Sequence, residues 1–219
     1  MQQTGSADAF EDDFSHLLDA PVVQSETFHT VRQKVLPHLS NLELEELQLP
    51  VDAFVDSEGF ALERSLGNLT SFINFVDPEL KLKERPSETG NGSPLIIIIA
   101  ISAARSVKLR RAMIEYKSSN IKIAKLFGKH FKFKDQEKFL ELNFINIAVT
   151  TPERILKMVN DSKSLDLSRL KYIIIDATWK DVKERSVFDD GCKELMLLFA
   201  NSLLLEKIKV KKETKIALY

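Results

Sequence analysis

The chain of 219 residues holds one cysteine, Cys192, so no internal disulfide can form and a reducing compartment suits it. Glycine and proline number seven each, too few for a collagen-like or low-complexity chain. No apolar run exceeds the seven residues from Leu95 to Ile101. A membrane helix needs about 20, so no segment is expected to span a bilayer. The N-terminus lacks the basic-then-apolar order of a secretory leader and is acidic instead, with Asp8, Glu11, Asp12 and Asp13. His16, His29, His38 and His130 are scattered without ligand spacing, so no metal site is predicted. Ser, His and Asp form no nucleophile-elbow pattern. The remainder, 44% hydrophobic and 29% charged, is an ordinary globular mixture that excludes fibrous and mostly disordered classes.

The formal net charge of −1 conceals an asymmetry. Residues 1–101 carry 6 Lys/Arg against 17 Asp/Glu, whereas residues 102–134 carry 10 Lys/Arg against Glu115 alone. A basic block inside a near-neutral chain suits either a solvated face or an anionic partner.

Four regions are expected. Residues 1–25 form an acidic, disordered arm and residues 26–80 a helical extension. Residues 81–94 are a linker loop rich in turn-forming residues. Residues 95–219 form the main domain. In the extension, Phe28, Val31 and Val35 mark an uneven helical stripe over Thr27–Leu39, and Leu42, Leu44, Leu47 and Leu49 alternate before Pro50. A further helix is expected over Glu63–Phe75. From Leu95 the pattern changes to a continuous β-branched run, as in a strand buried on both faces.

A helix follows, with Leu109, Ala112, Met113 and Tyr116 on one face. The alternation continues with strands near Ile121–Phe127, Phe144–Val149, Tyr172–Ile175 and Lys215–Leu218. Helices are expected near Asp135–Leu142, Pro152–Asn160 and Gly191–Leu203. This predicts an α/β fold, a single parallel sheet with helices on both faces. Sites in such sheets form at the C-terminal strand ends. Those ends are Ser102–Arg105, Gly128–His130, Thr150–Arg154 and Asp176–Trp179.

Thr150-Thr151-Pro152-Glu153-Arg154 follows one strand and Asp176-Ala177-Thr178-Trp179 another, with Ala103-Ala104-Arg105-Ser106-Val107 upstream. This order resembles the TPGR, DEAD and PTREL elements of the first RecA-like lobe of DEAD-box RNA helicases. The phosphate loop is missing. The only Gly-Lys pair, Gly128-Lys129, is followed by His130 instead of Ser or Thr. Ala177 replaces the Glu that would handle the attacking water. The resemblance therefore implies a RecA-like lobe that kept its fold and lost its reaction, with no cofactor.

Lys125-Leu126-Phe127-Gly128-Lys129-His130-Phe131-Lys132, then Asp135-Gln136-Glu137-Lys138-Phe139-Leu140 and Asn146-Ile147-Ala148-Val149-Thr150-Thr151-Pro152, is similar to the signature of the Cms/CMSS family of nucleolar proteins. Leu42–Leu47 and Leu66–Leu69 extend that similarity. It implies a nuclear and nucleolar, non-catalytic pre-ribosomal assembly factor. Its partners would be pre-rRNA or small nucleolar RNA and small-subunit precursor assembly proteins, with no membrane. An adaptor that binds only protein, and a divergent nucleotide hydrolase or helicase half, are the competing classes.

The candidate RNA contacts are Arg105, Lys108, Lys125, Lys129, His130, Lys132, Thr151 and Arg154. The degenerate DEAD position is Asp176, Ala177, Thr178 and Trp179. Several have plainer explanations. Thr151-Pro152-Glu153 is a good helix start. Arg105 suits either an anionic partner or a buried ion pair with Asp176. Phe127 and Phe131 are expected in the core, which leaves the lysines as the RNA candidates. Cys192 is expected as a buried thiol and Trp179 as packing over the sheet end.

Overall fold

The structure is a computed structural model and describes residues 20–80, 82, 90–113, 116, 121–128 and 131–219. Five short strands build one sheet: β1 (Ile96–Ile99), β2 (Ile123–Leu126), β3 (Ile147–Thr150), β4 (Tyr172–Ile175) and β5 (Lys215–Leu218). Their order is β2-β3-β1-β4-β5 and every pairing is parallel. The expected α/β class holds. β1 is central and buried along its whole length, which explains its unbroken isoleucines.

The side-chain period of two divides the sheet into two cores. Ile97, Ile99, Ala148, Ile173, Ile175 and Ile216 face one side. They pack with α1 (Pro21–Val35), α5 (Phe133–Leu142), α6 (Pro152–Asp161), α7 (Cys192–Leu198) and α8 (Ser202–Leu205). Ile96, Ile98, Ile147, Val149, Ile174 and Ala217 face the other. They pack with α3 (Leu69–Val76) and α4 (Ala103–Ala112). Each buried isoleucine contributes about 1.5–3 kcal/mol of transfer free energy. The short helix α2 (Asn41–Glu46) follows α1 within the extension. It starts on a capping box, in which Ser40 accepts from the Glu43 N–H and the Glu43 carboxylate accepts from the Ser40 N–H.

Several boundaries differ from the sequence pattern. α1 begins at Pro21, inside the stretch expected to be an arm, because proline is preset for the first helical position. Its buried stripe is Gln24, Ser25, Phe28, Val31 and Arg32, so three polar residues hide it from a hydrophobic reading. The alternating leucines before Pro50 include the helix α2, and the helix expected over Glu63–Phe75 contracts to Leu69–Val76 after a 3₁₀ turn at Leu66–Asn68. The long helix expected near Gly191–Leu203 is broken at Phe199–Asn201, where Asn201 caps α8.

Of the expected linker, Gly90–Pro94 is tied into the domain. The Gly92 N–H donates to Asn143 O, and the Gly92 carbonyl accepts from the Asp166 N–H. Gly92 has φ +69°, and a Cβ there would lie 2.0 Å from Ser164 O, so no other residue fits.

Both sheet edges are managed. At the β2 edge, Gln136 Nε2 donates to the carbonyls of Lys125 and Phe127, which covers outward acceptors. At the β5 edge, Phe54 bridges Ile216 in parallel and the Val55 N–H donates to Ile216 O at 2.7 Å. From this bridge the chain runs through Asp56–Ser65 toward α3.

Candidate functional site at the C-terminal strand ends

β1 delivers its chain to α4 through Ser102, whose hydroxyl caps the helix by accepting from the Arg105 N–H. One turn in, Arg105 reaches the end of β4. Its Nε donates to Asp176 Oδ2 at 2.8 Å and its Nη2 to Asp176 Oδ1 at 2.9 Å. The side chains are only 5% and 1% exposed. Burial pushes the Asp176 pKa up, and the guanidinium works against that shift. The Arg105 Cζ also lies 5.0 Å from the Trp179 ring centre. The two explanations of Arg105 are thereby separated: it is an ion-pair partner, and its guanidinium is not open to a phosphate. Both Asp176 oxygens accept from Arg105. Ala177 is buried, Thr178 is exposed and Trp179 is half-buried over the pair, as expected for a ring packed at the sheet end.

The ends of β2 and β3 are different. α6 starts at Thr151-Pro152, yet the Thr151 side chain makes no cap bond. Arg154 Nη1 donates to Gln136 Oε1 at 2.8 Å, so the residue that covers the β2 edge also aims Arg154. A Cβ on Gly128 would stand 3.0 Å from Arg154 Nη2, so glycine gives the guanidinium its room. The Phe133 ring lies 5.7 Å from Arg154 Cζ and 5.1 Å from Lys157 Nζ. Lys125 Nζ stands 5.4 Å from the Phe131 ring centre.

Phe127 is core, at 2% exposure, but Phe131 is 38% exposed and meets Phe127 edge-on at 6.0 Å. Its placement corrects the expectation of burial, because the strand has ended at Leu126 and the chain is leaving the sheet. Lys132 is exposed just before α5. Lys129 and His130 lie outside the described residues. Lys108 is exposed on α4, which follows β1 and touches the end of β3, where Ser106 Oγ donates to Thr150 O at 3.2 Å. Lys157 was missed by sequence reasoning. Its signal was the i, i+3 spacing from Arg154 on one helix.

A cleft of about 370 Å³ lies between the starts of α4, α6 and α7. Glu153, Asp190 and Glu194 line it and, among the described residues, no Lys or Arg does. Its electrostatics therefore oppose a phosphate at its centre. The cations lie on its flank, at Arg154, Lys157 and Lys132.

These features define a class: a parallel α/β sheet domain with one strand-end corner filled by its own ion pair and the other flanked by exposed cations. Within that class, residues 12–219 match the family model described as CMS1, U3-containing 90S pre-ribosomal complex subunit, and the chain belongs to this family. Protein CMS1 of Chaetomium thermophilum is 36% identical over 166 residues, covering 75% of this chain and 64% of that protein. Protein CMSS1 of Xenopus laevis is 34% identical and that of Homo sapiens 36%, covering 80% and 68% of this chain. The chain spans 62% and 50% of these two relatives, so between half and two thirds of all three. Among solved structures, a DEAD box protein from the hyperthermophile Methanococcus jannaschii is similar at 28% identity. That likeness covers 58% of this chain and 31% of the other, with a TM-score of 0.38.

Proposed function

We propose that the chain is a non-catalytic assembly factor of the small-subunit ribosome precursor, acting in the nucleolus and docking on precursor RNA through its basic flank. The observation that supports the non-catalytic reading is the Arg105–Asp176 pair, in which a guanidinium donates to both oxygens of the carboxylate that would approach a metal. The segment from Asp56 to Ser65 adds to it. It leaves the sheet edge for a helix, the placing a phosphate loop takes, but contains Gly59 and no lysine.

RNA docking is supported by the grouping of Lys125, Lys132, Arg154 and Lys157 around Phe131 and Phe133. Cations neutralise phosphates and release counterions, while a half-exposed ring can take a base face. Glu153, Asp190 and Glu194 steer the strand away from the neighbouring cleft and toward that flank. Thr151 sits at its inner border, and Lys129 and His130 adjoin it in sequence.

Gradient fractionation of the tagged full chain from nuclear extract, with and without ribonuclease, tests the reading. Wild type is expected with large precursor particles and their rRNA, and a Lys132→Glu, Lys157→Glu variant in lighter fractions. Wild type found only in light fractions without precursor rRNA overturns the proposal.

A further inference from the structure

A second cleft opens at the same edge of the sheet, beside β4. It measures about 590 Å³ and is lined by Leu62, Leu66 and Trp179, with Glu63, Arg64 and Lys180 among its polar groups. Its walls are held in place by contacts within the chain. Arg105, which itself lines the cleft, stands 5.0 Å from the Trp179 ring centre and is held by Asp176. The Tyr219 hydroxyl donates to Ser65 O, and Arg64 Nη2 donates to Ser57 O at 3.2 Å. The Arg64 guanidinium also stands 5.7 Å and 5.8 Å from the Phe60 and Phe72 ring centres. A preformed cleft loses little entropy on filling.

We propose that this cleft receives one unstacked base of a single RNA strand, with the Trp179 indole as its platform; the inference rests on the RNA-binding reading above. An indole and two leucines suit a flat aromatic ring, and base–aromatic stacking tolerates every base. Arg64 and Lys180 supply charge for the flanking phosphates. Glu63 adds selectivity, since a carboxylate accepts from the exocyclic amino group of adenine, cytosine or guanine, and uracil has none. An acidic peptide would meet Glu63 as a like charge. A nucleoside triphosphate would find the Asp176 carboxylate already paired with Arg105.

Trp179 is the only tryptophan, so its emission reports the cleft directly. The test titrates the full chain with a short oligoadenylate and an oligouridylate of equal length. Labelled-strand anisotropy and Trp179 emission are followed together. Oligoadenylate is expected to quench Trp179 with the same midpoint as the anisotropy change and to bind several-fold more tightly than oligouridylate. Glu63→Leu, which leaves no acceptor, removes that preference. Trp179→Ala weakens binding about tenfold, within the range for one lost stack. Lys180→Glu, an exposed change that spares the fold, weakens it by a similar factor.

Binding by anisotropy with Trp179 emission unmoved, and with Lys180→Glu at wild-type affinity, overturns the base site and leaves RNA binding intact. No binding in either channel overturns both. Adenosine monophosphate binding as tightly as the strand overturns the strand assignment. Quenching by an acidic peptide that oligoadenylate cannot displace assigns the cleft to a protein partner instead.

Discussion

Two corners of one sheet end in opposite electrostatic states. Where β1 and β4 finish, a cation and an anion face each other with 5% and 1% of their side-chain surfaces exposed. Where β2 and β3 finish, Arg154 and Lys157 flank a ring and Lys132 is exposed to water. The first corner spends its charge inward, on stability and on holding Trp179. The second leaves Lys132 and Lys157 exposed. The same strand-end geometry is therefore neutralised in one place and left cationic in the other, and the difference lies in whether the counter-charge comes from within the chain.

The largest effect that would break this contrast is at Arg105. Arg105→Ala leaves the Asp176 carboxylate buried and unpaired, which costs about 3–5 kcal/mol. In a chain of this length that lowers Tm by about 10 °C. Arg105→Met with Asp176→Leu removes both charges and is expected to recover most of the loss, because apolar replacements of a buried pair are often neutral or stabilising. Thermal melts of the two singles and the double give the coupling. A single variant as stable as wild type would show that the inward corner is not structural. RNA binding of the double variant at the basic flank should stay at wild-type strength.

At the other corner, Gln136 is the buried link between the β2 edge and the cations. Gln136→Leu leaves the Lys125 and Phe127 carbonyls without their donor, at a cost of about 1–3 kcal/mol. It also frees the Arg154 guanidinium from its aim. The expected outcome is a smaller fall in Tm than for Arg105→Ala, together with RNA binding weakened severalfold. A fall in Tm with unchanged RNA affinity would separate Arg154 from the docking surface.

The sheet was legible because its strands are buried on both faces. Tyr172–Ile175 and Lys215–Leu218 fall where the apolar runs place them, and β1 lies within Leu95–Ile101. α1 was less legible, since Gln24, Ser25 and Arg32 occupy its inner stripe. Two of those residues bond carbonyls that periodicity does not show: Ser25 Oγ donates to Leu49 O at 2.6 Å, and Arg32 Nη1 donates to Leu47 O. At the site, Arg105 and Asp176 are 71 residues apart, so their pairing depends on β1 lying beside β4. Sequence spacing narrows Arg105 to two roles and only the strand order selects between them. Phe131 shows the reverse limit. Its type argued for burial, but it sits past the end of an edge strand, where no second layer covers it.

The smallest predicted effects compare the two helix starts directly. Ser102 caps α4 by accepting from the Arg105 N–H at 3.2 Å, whereas Thr151 at the start of α6 makes no such bond. Ser102→Ala is therefore expected to cost about 0.5–2 kcal/mol, the usual range for a lost cap. Thr151→Ala removes no cap and leaves Tm within about a degree, since changes outside such features fall within about ±0.5 kcal/mol. The order reverses for RNA. The α4 start is occupied by its own serine and belongs to the inward corner, so Ser102→Ala leaves affinity unchanged. The first-turn amides of α6 lie beside Arg154, and the Thr151 hydroxyl is free of the helix. Thr151→Ala should weaken binding by less than threefold, because one hydroxyl contributes less than the charges of Lys132 and Lys157. Melts and anisotropy titrations on the same two variants check both halves. A Thr151→Ala variant that loses stability but not affinity would make the two helix starts alike and remove the contrast between the corners.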